Sequence, residues 1–305
     1  MAAGIALTGT MQKRDLILTM LYRMRFDAIK PFLSSLKATG YGGDLAAFVT
    51  MMDDETIAEM SRHGIIVIPF RFHPRIVRRI WWFGSLWRQV FKSGLSQQKK
   101  ERLAHIVFPL FYRRHLLYLE FLREHRQKYD RVFITDCRDV FFQANPFSWD
   151  PPQGVHFFLE EENAKIHQSI QHVNWLKSQF GQDVLDELAN YTISCAGTTL
   201  GDLAGIMEYL STMVLLSMNA LSLREHDGDQ GIHNYIFYKN LLSSAAIHEN
   251  RRGPVMTMGA MKPEQAHLNV EGWVVNDDGS IPCALHQYDR LKDIQKVLLS
   301  HLGKR

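Results

Sequence analysis

Residues 132–142 read VFITDCRDVFF, in which two carboxylates interrupt an otherwise apolar segment. The segment Arg131–Thr135 (RVFIT) is nearly all apolar, which predicts a strand that is buried on both faces. Asp136 and Asp139 follow directly where this strand should end. Strands that are covered on both faces occur mainly in parallel sheets flanked by helices. The segment therefore predicts an α/β protein with acidic residues at a strand end.

Strand and helix patterns alternate along the chain before this segment. Such alternation implies right-handed crossovers and therefore a mostly parallel, doubly wound sheet. Ligands of such sheets bind beyond the carboxyl ends of the strands, so functional residues should follow the strands directly. The predicted strands are Asp15–Leu21, Asp44–Thr50 and Ile65–Phe70, and the predicted helices are Phe26–Thr39, Asp53–His63 (with Asp53 or Asp54 as N-cap) and His105–Lys128.

The sequence after residue 142 is less regular but continues the same mixture of strands and helices. It contains no internal repeat and no low-complexity segment, and its proline-rich spot at residues 150–152 predicts a turn. The predicted strands are Val155–Leu159 and Tyr191–Ala196, and the predicted helices are Gln168–Phe180, Leu203–Met213 and Gln230–Leu242.

Composition excludes several classes of protein. The chain has 305 residues, of which 46% are hydrophobic and 22% charged, as is usual for a folded domain. A net charge of +3 is too small to indicate nucleic-acid binding. The three cysteines are widely spaced, which argues against a disulfide framework and a zinc site. We expect neither a secretory signal nor a membrane-spanning helix, and hence a cytoplasmic protein.

The two aspartates after the buried strand have two explanations. A carboxylate at such a place is costly to bury unless a cation or hydrogen-bond donors accompany it. Arg138 could pair with Asp136 or Asp139 in a turn that merely ends the strand. Alternatively, both could bind Mn²⁺ or Mg²⁺, which favour oxygen ligands and could hold a diphosphate leaving group. Their spacing leaves both explanations open.

Two further polar clusters follow in the second half of the chain. Residues 227–234 read DGDQGIHN and precede an apolar helix. Asp229 could cap that helix, but the cluster holds more carboxylate and amide groups than a cap needs, and such groups bind sugar hydroxyls. Residues 284–290 read ALHQYDR. His286 there is either a metal ligand or a structural histidine, and Arg290 could bind phosphate oxygens.

Together these motifs resemble those of nucleotide-sugar-dependent glycosyltransferases of the GT-A fold. YDRVFITDCRDVFFQANPF (129–147) is similar to the D-x-D region of bacterial and plant glycosyltransferase-like sequences, and YTISCAGTTLGD (191–202) to their sugar-facing strand and turn. The resemblance, from about Asp15 to Arg290, implies a Rossmann-like, mostly parallel twisted sheet flanked by helices. It implies one domain, 12–305, with a nucleotide-binding half, 12–142, and a less regular sugar- and acceptor-binding half, 143–305.

The resemblance also implies roles for individual residues. Asp136, Asp139 and His286 would bind Mn²⁺ or Mg²⁺, and Asp136 would also face the donor. The spacing is D-x-x-D instead of D-x-D, which leaves open which aspartate binds the metal directly. The donor nucleotide would lie at the end of the first strand, near Thr19, Leu21, Tyr22 and Arg25, and its candidate arginines are Arg114, Arg138 and Arg290. For Arg114, a solvated helix face is the alternative.

The implied reaction transfers a sugar from a nucleotide diphosphate donor, expected to be a UDP-sugar, to a glycan or lipid-linked acceptor. The metal and Arg290 would stabilise the charge of the leaving diphosphate. The D-Q motif of Asp229 and Gln230, both candidate catalytic residues, favours retention of configuration. An inverting enzyme would need a carboxylate base, for which Asp227, Asp229 and Glu161 are candidates.

Residues 70–92 read FRFHPRIVRRIWWFGSLWRQVFK and combine arginines with aromatic residues. The apolar positions follow helical spacing, and a cationic, tryptophan-rich amphipathic helix suits an anionic membrane surface. This would place the protein peripherally on the inner face of a membrane. Packing of the aromatic side chains into the core, or their stacking on sugar rings, are the alternatives.

Two other functions compete with sugar transfer. A sugar nucleotidyltransferase would carry a glycine-rich basic loop directly after the first strand, where residues 19–27 read TMLYRMRFD and contain no glycine. A non-enzymatic, membrane-associated protein that binds a nucleotide or sugar is the other alternative.

Overall fold

The structure, a computed structural model, describes residues 13–75, 77, 84–222 and 228–302. Its main sheet has seven strands in the order β3-β2-β1-β4-β7-β6-β8, and a smaller sheet has the order β5-β12-β9. The strands are β1 Arg14–Tyr22, β2 Asp44–Thr50, β3 Ile66–Pro69, β4 Tyr129–Thr135, β5 Val140–Phe142, β6 Val155–Leu159, β7 Ser194–Asp202, β8 Ala245–His248, β9 Val255–Thr257, β10 His267–Leu268, β11 Val274–Val275 and β12 Ala284–His286.

The main sheet is mostly parallel, as predicted. The pairs β1–β2, β2–β3, β1–β4 and β6–β8 are parallel. β7 pairs antiparallel with both β4 and β6, so it runs against the other six strands. The beginning of β7 therefore lies beside the carboxyl end of β4, at the edge where functional residues were expected.

The helices lie on both faces of this sheet. Asp53 caps α2 by accepting a hydrogen bond from the amide of Thr56, as predicted. Among the described residues the α-helices are α1 Phe26–Ala38, α2 Asp54–Arg62, α3 Gly84–Lys92, α4 Gln97–Val107, α5 Leu110–Glu124, α6 Ile170–Phe180, α7 Gln182–Leu188, α8 Leu203–Asn219, α9 Gln230–Tyr238 and α10 Lys292–Leu302.

The predicted single helix His105–Lys128 is wrong, because the chain forms two helices there. Pro109 lacks an amide proton and disfavours helical backbone in the residue before it. Phe108 accordingly has extended dihedrals, with φ −69° and ψ 132°. The break separates α4 from α5 and lets α5 follow its own direction across the sheet.

The predicted strand Tyr191–Ala196 begins too early and ends too soon. β7 runs from Ser194 to Asp202 and includes Gly197 and Gly201. Glycine weakens strand patterns in a sequence, but it also allows a close approach of backbones. A Cβ at Gly201 would lie 2.5 Å from the carbonyl oxygen of Gly154. The backbone just before β6 therefore approaches too closely for any residue other than glycine at position 201.

Both faces of the main sheet are buried. Leu16 and Leu18 of β1 belong to a cluster with residues of α5 and α8, whereas Ile17 and Leu21 pack with α1 on the other face. All seven residues of β2 are buried. The near-continuous apolar runs of these strands thus reflect burial on two faces, as the sequence indicated. The small sheet packs against α10 through Phe141, Met256, Leu285 and Leu298.

The basic aromatic segment 70–92 is only partly described, because residues 76 and 78–83 lie outside the described residues. Phe72 and Phe91 are buried, which agrees with the core-packing alternative for these two side chains. Arg71 and Leu86 are exposed. Among the described residues, every helix is too short or too polar to cross a bilayer.

Asp202 ties β7, α8 and the chain before β6 together. Its Oδ1 accepts a hydrogen bond from the amide of Gly205 at 2.8 Å, and its Oδ2 accepts one from the amide of Gly154 at 2.7 Å. Asp202→Ala should lower the free energy of unfolding by about 1–2 kcal/mol, because it removes the helix cap. Chemical denaturation measures the change. Asp202→Asn keeps an oxygen for Gly205 and should cost less; equal stability of Asp202→Ala and the wild type would contradict this assignment.

Candidate metal centre

Three side chains that the sequence singled out converge at the carboxyl edge of the main sheet. Asp136 directly follows β4, and its amide donates to the carbonyl of Gly197 in β7 at 2.9 Å. Asp139 directly precedes β5. β12 pairs antiparallel with β5 and places His286 opposite Val140. The strand register therefore brings His286 beside Asp139.

The three side chains form a cluster that could hold a metal ion. One possible ligand atom of each residue lies within 4.8 Å of the others. His286 Nε2 is 3.8 Å from Asp136 Oδ2 and 3.9 Å from Asp139 Oδ1. These distances are too long for hydrogen bonds but leave room for an ion between the atoms. Two carboxylate oxygens and one imidazole nitrogen suit a divalent cation, including the predicted Mn²⁺ or Mg²⁺.

His286 provides an independent test of this fit. Its side chain is 1% exposed, and its Nε2 has no hydrogen-bond partner among the described residues. Its other nitrogen, Nδ1, lies 3.3 Å from the sulfur of Cys195, which fixes the ring orientation. A buried polar atom without a partner costs free energy, and such atoms are uncommon in folded proteins. A cation bound between the aspartates would satisfy this nitrogen.

Gly197 has no side chain, which leaves space for the side chains of His286 and Asp136. A Cβ at this position would lie 2.5 Å from both Cε1 and Nε2 of His286 and 2.9 Å from Asp136 Oδ2. Real Cβ atoms do not approach other atoms so closely. Any larger residue here would displace His286 or Asp136, so a glycine is required by the ligand atoms themselves.

Arg114 and Asp229 form a buried ion pair behind the cluster. Arg114 Nε and Nη2 lie 2.8 and 2.7 Å from Asp229 Oδ2, and Arg114 Nη1 lies 3.1 Å from Asp136 Oδ1. His115 Nε2 also lies 2.7 Å from Asp229. The solvated-face alternative for Arg114 is therefore wrong. Asp229 is the N-cap residue of α9, as one alternative predicted, but its side chain makes no cap hydrogen bond within the described part of the chain.

Burial and neighbouring charges perturb every acid and base of the cluster. Burial raises the pKa of Asp139. Burial also opposes ionisation of Asp136, but His286 and Arg114 outweigh it and lower the pKa of that carboxyl. Burial would lower the pKa of His286, yet Cys195 and the carboxylates raise it well above its usual value. Without a cation, the two carboxylates therefore favour the protonated form of His286.

A pocket of about 500 Å³ opens directly onto the cluster. Phe111 and Trp175 supply aromatic surface, and the amide side chains of Gln171, Gln230 and Gln287 supply hydrogen-bonding groups. Gln230 is held in place by His172, whose Nε2 lies 2.8 Å from Gln230 Nε2. Aromatic faces beside amides and carboxylates are suited to a polar ring such as a sugar.

Glu161, a candidate base, does not line this pocket. Its carboxylate accepts hydrogen bonds from Asn250 at 2.7 Å and Gln265 at 2.9 Å and pairs with Arg251, so it ties β6 to the C-terminal segment. The preceding residue, Glu160, is the carboxylate nearer the cluster. Burial raises the pKa of Glu160, while His286 and Gln230 lie close enough to lower it in part. Asp227 lies outside the described residues.

The remaining predicted donor residues lie outside the pocket lining. Leu21 is buried in the core beneath α1, and the hydroxyl of Thr19 is buried as well. Tyr22 packs against Phe72 at the end of β1, and Arg25 is the N-cap residue of α1. The two predicted phosphate ligands are both half exposed. Arg138 lies 3.6 Å from Asp139 of the cluster, whereas Arg290 pairs with Asp289, at 3.8 Å.

Several residues of the site were missed in the sequence. Cys195, Gly197 and His115 each look ordinary within an apolar run, and Trp175 lies on a helix with several other large residues. Glu160 adjoins Glu161, which the sequence singled out, but both residues follow the end of β6, so strand alternation does not indicate which of them faces the site.

Comparisons with known proteins add no relationship. No protein-family model matches the chain, and no curated protein sequence is significantly similar to it. The mostly parallel sheet with flanking helices and the Asp-Asp-His cluster are compatible with the GT-A fold.

Gly197→Ala should abolish or strongly weaken Mn²⁺ binding while the protein stays folded, because the added methyl group occupies the space between the ligands. Isothermal titration calorimetry with Mn²⁺ measures the affinity. Gly42→Ala is the matched control, since a Cβ at Gly42 would meet no atom within 4 Å. Wild-type affinity in Gly197→Ala would show that the cation does not bind in this cluster.

Mn²⁺ binding should strengthen as the pH rises. The pKa of His286 is raised, so its proton competes with the cation below that pKa, and the competition fades above it. Release of one proton per ion corresponds to about a tenfold change in affinity per pH unit. Calorimetry in two buffers of different ionisation enthalpy counts the released protons. An affinity that does not change with pH would contradict coordination by His286.

Proposed function

We propose that the chain is a metal-dependent glycosyltransferase of the GT-A fold. It would transfer a sugar from a nucleotide diphosphate donor, expected to be a UDP-sugar, to a glycan or lipid-linked acceptor. The observation that carries this proposal is the convergence of Asp136, Asp139 and His286 at the carboxyl edge of a mostly parallel sheet, beside a pocket that Asp136 and His286 line. The motif resemblance described above supplies the reaction class.

The charges around the cluster fit a diphosphate better than a neutral ligand. A divalent cation held here would supply charge stabilisation for the departing diphosphate. Arg138 lies beside Asp139 with more than half of its side chain exposed, so its guanidinium is free to contact phosphate oxygens. Arg290 is similarly exposed one turn after His286. Both arginines would thus hold the donor at the rim of the cluster.

The pocket walls fit the sugar. Trp175 and Phe111 offer apolar faces against which a sugar ring can pack, and Gln230 offers amide groups to its hydroxyls. Retention of configuration is the outcome favoured by the D-Q motif of Asp229 and Gln230. Glu160, whose carboxylate interacts with Gln230 and His286, is a further candidate base for an acceptor hydroxyl.

A lipid-linked acceptor would agree with the basic segment 70–92. Arg71, Arg75 and Lys92 are exposed, and Leu86 shows 52% of its side chain to solvent. Exposed cations beside an exposed apolar side chain favour contact with an anionic membrane surface. The enzyme would then act peripherally, on the cytoplasmic side of a membrane.

Thermal melting with and without Mn²⁺ tests donor binding. UDP together with Mn²⁺ should raise the melting temperature of the wild type more than either alone, because a cation held by the carboxylates would supply the positive charge that the diphosphate needs to bind there. Asp139→Asn should remove this shift. Asp130→Asn, at an exposed carboxylate on the other end of β4, should keep it. If neither UDP nor GDP shifts the melting temperature, the donor assignment fails.

Release of UDP from UDP-sugars then separates the competing functions. A transferase should release UDP faster when an acceptor is added, and Asp139→Asn should lose at least about a hundredfold in rate, because a metal ligand is removed. A binding protein would show the melting shift without turnover. A nucleotidyltransferase would instead release pyrophosphate from a nucleoside triphosphate and sugar phosphate.

A further inference from the structure

Arg114 divides its hydrogen bonds unequally between two carboxylates. Its Nε and Nη2 both lie within 2.8 Å of Asp229 Oδ2, whereas only Nη1 contacts Asp136, at 3.1 Å. Arg114 and Asp229 are buried, so water cannot replace these bonds readily. Two nitrogens of the Arg114 guanidinium thus bond to Asp229, and only one bonds to Asp136.

That single bond determines how the Asp136 carboxylate is turned. Its Oδ1 accepts from Arg114, while its Oδ2 faces the cluster, 3.8 Å from His286 Nε2. The two oxygens of a carboxylate point in different directions, so fixing one fixes the other. The oxygen that can bind a cation is therefore chosen by Arg114.

We propose that Asp229 is a positioning residue and neither the base nor the nucleophile of the reaction. By holding Arg114, Asp229 keeps that guanidinium from binding both oxygens of Asp136 and leaves Asp136 Oδ2 to the cation. The inference rests on the proposed function, because it assumes that the Asp-Asp-His cluster binds a divalent cation.

The surroundings of Asp229 agree with this role. Its Oδ2 is also within 2.7 Å of His115 Nε2, and no atom of Asp229 is needed to complete the cluster. Burial opposes its ionisation, but Arg114 and His115 lower the pKa of Asp229 to about 2. A carboxylate with so little affinity for a proton is a poor base. Its charge is instead the counter-charge that a buried arginine requires.

Loss of the Asp229 charge should therefore weaken metal binding. In Asp229→Asn the buried guanidinium keeps one anionic neighbour, Asp136, and competes with the cation for it. The dissociation constant of Mn²⁺, measured by electron paramagnetic resonance without nucleotide, should rise about tenfold or more. An unchanged constant combined with lost turnover would overturn the proposal, because that result assigns Asp229 a direct catalytic role.

Asp44→Asn is the matched control. Asp44 is also a buried carboxylate between two cations, with Arg14 at 2.6 Å and Lys128 at 2.7 Å, but it begins β2 at the opposite edge of the sheet. Its replacement should lower stability and leave the Mn²⁺ affinity unchanged. Comparable weakening of Mn²⁺ binding by Asp44→Asn would overturn the proposal, because the effect would then follow from stability alone.

A second substitution tests whether Asp229 acts through Arg114. The double variant Arg114→Gln with Asp229→Asn removes the competing guanidinium together with its counter-charge. It should recover part of the Mn²⁺ affinity lost in Asp229→Asn, because the competing charge is gone although the guanidinium bond that orients Asp136 is lost with it. A double variant as weak as Asp229→Asn would overturn the proposal, since the defect would not depend on Arg114.

Arg114→Lys serves if Asp229→Asn does not fold. A lysine keeps the charge but lacks the planar fork that bonds two carboxylates in fixed directions, so Mn²⁺ binding should weaken here as well. Unchanged affinity in Arg114→Lys would overturn the proposal. These measurements use Mn²⁺ alone, so a wild type that binds Mn²⁺ but transfers no sugar would contradict the proposed function and leave this inference standing.

Discussion

The pairing of β12 with β5 is the constraint on which the candidate site depends. It places His286 opposite Val140, the residue that follows Asp139. In sequence, His286 and Asp139 are 147 positions apart (286 − 139). Asp136 joins them because β4 ends beside the start of β7. No flexible loop supplies a ligand on its own; each stands at the end of a strand whose neighbours are fixed by backbone hydrogen bonds. Such preorganisation suits a site that must hold a small ion at defined distances.

Much of this arrangement could be predicted from the sequence. The bounds of strands β1 to β4 were predicted to within a few residues. Strands buried on both faces have nearly continuous apolar sequences, which are easy to recognise between helical segments. Asp136, Asp139 and His286 stood out since carboxylates and imidazoles are costly at the end of apolar strands unless they bind something. The structure brings these three side chains together in a cluster that could bind a metal ion, and metal binding itself stays a prediction. The reaction and its substrates stay predictions.

The parts that could not be predicted depend on contacts between distant elements. Arg114 looked like one of several arginines on a helix, and only the packing of α5 behind β4 brings it to Asp136 and Asp229. Glu160 and Glu161 are identical in type, and only their partners in the folded chain show that Glu160 interacts with His286 whereas Glu161 bonds to Asn250. The helical pattern continues on both sides of Pro109 and therefore predicted one helix, whereas the proline separates α4 from α5.

The cluster joins two sheets, since Asp136 belongs to the end of the large one and His286 to the small one. An ion bound there would link the seven-stranded main sheet to the small sheet β5-β12-β9. Binding of the ion would then stabilise the contact between the two sheets, and an intact contact would strengthen binding of the ion. In a cell, the supply of the ion could thus govern how long the protein survives proteolysis, quite apart from any effect on its chemistry.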